Sequence, residues 1–360
     1  MRNLSIYALF VLLVTLSCSK SEEIVISKEH TIELEVVGES ESDSRALLMS
    51  NYDDIIAQGE FALSANLVGG GQYLNNAWVY HFVSDSGVAR WRFRDMVNQD
   101  NLVDFYWPND DNMNFMAYMP RNLATCVTTV TNLVYSASGV QFNATTPTVI
   151  NDRTVAEREA ENAKSEFVYA ARLNQSKEAG TVKLRFVHPF AAIRFRLHQS
   201  HRDLVINSIT LHGVDNAATY TSSADTYAPY GGGDMGQTYL TYNNWVASGS
   251  ADLTINLDKR VPDDVNYSSQ IGGPYVVIPQ LLSDGGKSVK LSVNYSWNGA
   301  TVQSAQFAIT SVHVPAWQPG NLYTYTLDLG DNKEEILFKV VVEPWSRGED
   351  EGYENSFDVE

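Results

Sequence analysis

Apolar and polar residues alternate, one for one, through most of this chain. In VKLRFVH, Val182, Leu184 and Phe186 alternate with Lys183 and Arg185, and further on Ile193, Phe195 and Leu197 alternate with Arg194 and Arg196. Successive side chains on a strand point to opposite faces, so this period marks strands with one buried face. It returns at Val289, Leu291, Val293, Tyr295 and Trp297, and again at Tyr323, Tyr325, Leu327 and Leu329. Such a chain is all-β, mostly antiparallel, and has to bury its strand faces against one another. One segment departs from the pattern. Thr154 and Glu157 have the spacing of a capping box and predict a helix over 154–171.

The amino terminus follows a different rule. Behind Arg2, residues 4–16 are almost entirely apolar, too short for a comfortable membrane span and suited to a secretory signal. Cys18 stands where that run stops and CSKSEE begins. This position suits a lipoprotein signal peptidase, after which two or more acyl chains would make anchoring stable. An ordinary cleaved signal with an incidental cysteine is the alternative, and Thr15 occupies the place where leucine is most usual. Next, Ile24 and Ile26, then Ile32, Leu34 and Val36, read as strand before the polar stretch ESESDSRALL. Arg45, just before Ala46, lies where a trypsin-like protease can reach it without unfolding a core, or is simply a loop arginine.

These signals divide the chain. Residues 1–18 form the signal ending at the lipidated cysteine, and 19–45 a propeptide strand with a cleavable linker. The remaining length suits two domains. RLNQSKEAG is the candidate boundary, giving β-sandwiches over 46–178 and 179–334, followed by a strand segment over 335–360. There Ile336, Phe338, Val340 and Val342 share an apolar face, while Leu337 and Val341 fall on the other, as in a strand buried on both sides. It either completes its own domain or is donated to a neighbour. The final YENSFDVE alternates weakly, as a second short donor strand or a frayed acidic tail.

Several kinds of chemistry are disfavoured. With 43 acidic against 25 basic residues the net charge is −18, which repels nucleic acid and anionic membranes over most of the surface. Lipidation of Cys18 would leave Cys126 alone, a small hydrophobe in a strand rather than a nucleophile, with no disulfide possible within the chain. GGGDMG (231–236) has a dinucleotide-type glycine spacing without the flanking strand and helix, and reads as a loop. His198 and His201 lack an evident third metal ligand, and His188 reads as a packed, hydrogen-bonded histidine. The acid pairs Asp110–Asp111 and Asp263–Asp264 are sequence neighbours in loops, not opposed carboxylates, and NDDN (109–112) lacks the glycine and terminal glutamate of a calcium loop. No cofactor or catalytic site is expected. Trp245, among Tyr and Asn in TYNNWVASGS, is the aromatic that could stack on a sugar ring if exposed.

Landmarks spread along the chain carry a family resemblance: CSKSEE, SRALL, FYWPNDDNMNFMAYMP, EFVYA, LRFVHPFAAIRFRL, INSITLHGV, YVVIPQ, WQPGNLYTYTLDL and VVVEPW, in that order. Together the set resembles the fimbrillin-like family of Bacteroidetes surface proteins, which includes the FimA and Mfa type pilins. The resemblance implies two tandem transthyretin-like β-sandwich domains, exported as a lipoprotein to the outer membrane and cell surface. It further implies that a trypsin-like protease cuts between Arg45 and Ala46, removing the amino-terminal strand with the lipid. The carboxy-terminal segment of a neighbouring subunit then fills the gap. The implied role is a structural subunit of a fimbria supporting adhesion, with other fimbrial subunits as partners. The alternative is a tip adhesin or permanently anchored lipoprotein that binds a host glycan or protein.

Overall fold

The structure is a computed structural model of the chain. It describes residues 26–36, 57, 59–108, 111–136, 139–162, 164–198, 204–222, 226, 241–260, 269–284, 287–297, 300–309, 314–329 and 336–344. Strands dominate, as the alternation requires, and three large sheets enclose three apolar cores.

The first sheet runs in the order Val168–Gln175, Met113–Met119, Glu60–Leu67, Gln72–Val83, Ala89–Arg94, Leu34–Val36, Val182–Leu184. Its two ends come together just past the last strand. There Tyr169 and Val187 exchange backbone hydrogen bonds at 3.3 and 2.8 Å. The curled inner face holds Phe61, Leu63, Val79, Phe93, Phe115 and Met119. Met113–Met119 is buried at every position, so its side chains serve two cores at once. Outward-pointing Met116 and Tyr118 belong to the middle core.

The second sheet is organised by the 19-residue strand Leu204–Ser222. Trp245–Arg260 lies antiparallel along one side of it. On the other side its first half pairs with Lys290–Trp297 and its second half with Gly139–Thr145. Register shifts between Leu211 and Val214 mark a bulge where the halves meet, and Gly213 takes φ +71° there, a conformation that costs a residue without Cβ least. The third sheet, in the order Ser269–Val277, Ala191–His198, Asn321–Leu329, Ile336–Pro344, packs against the first half of the long strand. The second half, through Ala218 and Tyr220, instead packs on Phe167 and Tyr169 of the first sheet's neighbourhood.

Two expectations are corrected. The capping box is present, with the Glu157 amide donating to Thr154 Oγ1 (3.1 Å) and the Thr154 amide donating to Glu157 Oε2 (3.0 Å), but the helix is only Val155–Asn162. Phe167 to Ala171 are all buried, and Val168 begins an edge strand paired to Met113–Met119. Nor do the sheets divide near residue 179. Gly139–Thr145 and Val149–Asn151 pair with strands from beyond residue 200, whereas Val182–Leu184 closes the first sheet.

Candidate assembly site

The amino-terminal strand occupies a slot in the first sheet. Ile26–Thr31 pairs antiparallel with Tyr106–Pro108, and the Ile32 amide donates to the Phe105 carbonyl at 2.8 Å. The chain then enters the sheet as Leu34–Val36. On one side Leu34 stands opposite Trp91 of the antiparallel Ala89–Arg94. On the other, Leu34, Glu35 and Val36 match Val182, Lys183 and Leu184 in parallel, and the Val182 amide donates to the Glu33 carbonyl at 2.8 Å. Three residues thus bridge strands that come from opposite ends of the unit.

Alternation fixes how this strand is held. Ile32, Leu34 and Val36 are 6, 8 and 5% exposed and join the core beside Trp91, Phe93, Trp107 and Leu184. Burying each contributes roughly 1.5–3 kcal/mol. Glu33 and Glu35 face solvent, as do Arg90 and Lys183 on the flanking strands, with Arg92 and Arg94 half-exposed. Lys183 Nζ lies 3.7 Å from Glu35 Oε2, and Arg92 reaches Asp104 at 3.0 Å. Without Leu34–Val36, two strand edges would carry unpaired amides and carbonyls above an open apolar core, the condition under which a sheet accepts another strand. Cys18, Arg45 and Ala46 lie outside the described residues.

Ile336–Pro344, the other candidate assembly element, pairs along all nine residues with Asn321–Leu329 of its own chain, Ile336 opposite Leu329 and Pro344 opposite Asn321. Among the described residues it has no second strand neighbour, so it forms the edge of the third sheet. YENSFDVE, GGGDMG, Asp110, Asp263, Asp264 and His201 lie outside the described residues.

Trp245 requires a correction. It is 7% exposed, and its indole N–H donates to the Pro189 carbonyl at 2.9 Å. Phe142, Phe190 and Tyr220 surround it at ring-centroid distances of 5.6, 5.0 and 5.0 Å. An aromatic satisfied and enclosed in this way offers no face to a sugar; its polar neighbours in sequence concealed a position in the middle core.

His188 is packed and hydrogen-bonded, with Nδ1 2.9 Å from Oε1 of the fully buried Glu166. Burial raises the Glu166 carboxyl above its usual range despite the pull of His188. A second histidine network escaped the sequence reading. Nδ1 of His212 lies 2.8 Å from Asp252 Oδ2, Nε2 lies 2.8 Å from Ser292 Oγ, and Gln306 Nε2 donates to the same hydroxyl at 3.2 Å. The His212 hydrogen bond holds the Asp252 carboxyl below its usual value. The order resembles a nucleophile, base and orienting acid, but the surroundings differ from a hydrolase. Ser292 sits mid-strand between Thr210 and Gln306, where backbone amides are committed to ladder pairing rather than aimed at an oxyanion. The row fastens four adjacent strands across an outer sheet face. No sequence motif could have revealed it, because its members are brought together only by register.

Comparison with known proteins places the chain in a family. A model of the fimbrillin-like protein family matches residues 93–345. Among solved structures, a fimbrial protein from Bacteroides vulgatus superposes with a TM-score of 0.51 at 15% identity, covering 88% of this chain and 99% of that one. A cell-adhesion candidate from Bacteroides uniformis gives 0.49 at 15% identity, covering 89% and 99%. The tip fimbrial protein Mfa3 from Porphyromonas gingivalis, with a carboxy-terminal truncation, gives 0.37 at 9% identity, covering 84% and 97%. No curated protein sequence matches.

Proposed function

The chain belongs to the fimbrillin-like family, and from that premise we propose that it is a structural subunit of a bacterial surface fimbria, exported as a lipoprotein and assembled by strand exchange. The observation that carries this reading is the slot. A short amino-terminal strand supplies three core residues and two pairing edges, and is followed in sequence by the polar stretch ESESDSRALL with Arg45. In this account Cys18 is a temporary outer-membrane tether. Cleavage before Ala46 cuts both the lipid and the resident strand from the body of the subunit, and a carboxy-terminal strand from a neighbouring subunit takes the vacated position. Because donor and acceptor are different surfaces of one chain, such contacts repeat head to tail into an open fibre.

The mature amino terminus tests this directly, by mass spectrometry of protein recovered from the surface of the native bacterium. Ala46 as first residue is the expected result. A lipidated Cys18 on the surface protein overturns it, because the strand would then remain in its slot and the protein would be a permanently anchored lipoprotein.

A further inference from the structure

The two sides of the slot carry the same charge, and the strand between them carries the opposite one. The resident sequence is Ile32-Glu33-Leu34-Glu35-Val36, with the apolar residues inward and both glutamates outward. Lys183 meets Glu35 from one side. On the other, the register of Leu34 opposite Trp91, extended by one residue each way, sets Glu33 opposite Arg92 and Glu35 opposite Arg90. Adjacent strands lie about 4.8 Å apart, so the two walls face each other across roughly 10 Å. That is close to the screening length of about 8 Å at physiological ionic strength. Arg92 is already met by Asp104 at 3.0 Å, so an empty slot leaves Arg90 on one wall and Lys183 on the other as cations without the resident glutamates, with Arg92 shared between Asp104 and whatever strand enters.

We propose that Arg90, Arg92 and Lys183 select the strand that fills the slot, by requiring outward carboxylates, and that the donor which meets this requirement is the acidic segment Tyr353–Glu360 of a second copy. The inference rests on the strand-exchange reading and specifies its donor. The two terminal segments differ in the face each would present. With Ile336, Phe338, Val340 and Val342 inward, the first puts Leu337, Lys339, Val341 and Glu343 outward, a lysine among the cations and two apolar residues in water. It is also engaged in its own sheet. With Phe357 and Val359 inward, the terminal segment puts Ser356, Asp358 and Glu360 outward, repeating the apolar-acid alternation of the resident strand. In the same register Glu354 also falls outward and Tyr353 and Asn355 inward; Glu349, Asp350 and Glu351 precede the segment, with no basic residue between Gly348 and Glu360.

The test uses the folded chain 19–360, nicked after Arg45, and fluorescent peptides matching 349–360 or 335–345. Displacement of the nicked strand is followed by anisotropy and mass. The terminal peptide should displace it with at least tenfold higher affinity than 335–345, and weaken about tenfold between low and high salt. An Asp358→Lys/Glu360→Lys peptide should fail on the native protein and recover on Arg90→Glu/Arg92→Glu. Because the peptide swap alone needs no protein variant, misfolding of the arginine variant leaves the comparison standing. Preferred uptake of 335–345, or uptake of the terminal peptide indifferent to charge reversal, overturns the selectivity. If neither peptide displaces the strand from a folded, nicked protein, strand exchange itself fails.

Discussion

Burial, and then the nearby Glu166 carboxylate, push the Cys126 thiol up to about 12. At pH 8 an ordinary thiol near 8.5 is about a quarter thiolate, whereas one near 12 is ionised at roughly one part in ten thousand. Alkylation of Cys126 by iodoacetamide at pH 8 should therefore run on the order of a thousandfold slower in the native protein than in urea, measured by mass shift against time. Comparable rates in both states would mean that the thiol is open and unperturbed. Cys126 packs as a small hydrophobe, as its sequence suggested, but it follows the short 3-10 turn Leu123–Thr125 and makes an isolated bridge to Ser165 instead of lying in the expected strand; the hydrogen-bonded character of His188 was legible. The exposure imagined for Trp245 was not. Sequence neighbours report local polarity, whereas the enclosure of Trp245 comes from Phe142 and Tyr220 on other strands and from Phe190 just before Ala191–His198. The same limit hid Ser292, His212 and Asp252, which meet only across register.

At the scale of elements, period-two alternation located strands well because a half-buried strand imposes it directly. It also revealed the inward set Ile32, Leu34 and Val36, although not that these residues lie between Ala89–Arg94 and Val182–Leu184. That placement is a long-range pairing, and a parallel one on one side, which no local pattern encodes. The helix shows the reverse difficulty. Its start was set by a local hydrogen-bond exchange and was legible, while its end was set by the pairing of Val168–Gln175 with Met113–Met119 and was not. The slot strand also yields a stability prediction. Leu34→Ala removes buried side-chain volume opposite Trp91, and should destabilise the uncleaved chain by about 2–5 kcal/mol. Urea unfolding of the chain 19–360 would show this as a lower midpoint with an unchanged slope. A midpoint shift within error would mean that the strand contributes no packing to the core and that the slot is sealed by something else.

Across the whole molecule, the pairing pattern makes the sequence halves interdependent. Gly139–Thr145, from the first half, finds its partner in the far end of Leu204–Ser222, with Val140 opposite Ser222 and Thr145 opposite Ala217. The middle core joins Phe142 and Phe167 to Tyr220, Trp245, Val276 and Leu322, so residues on both sides of position 179 close the same apolar volume. A fragment covering 46–178 would lack those later residues along with Val182–Leu184 and the resident strand. Its Met116, Tyr118, Phe142 and Phe167 side chains would be uncovered, and one large apolar patch of this kind favours association over a unique monomer. Expressed alone, the fragment should aggregate or exchange its amides over 129–145 without protection, while the chain 19–360 protects them, as read by hydrogen exchange. A monomeric fragment with protected amides there would show that the first sheet stands without the long strand. The first sheet with its core would then be an independent domain, rather than part of a body whose middle core is closed by residues from both sides of position 179.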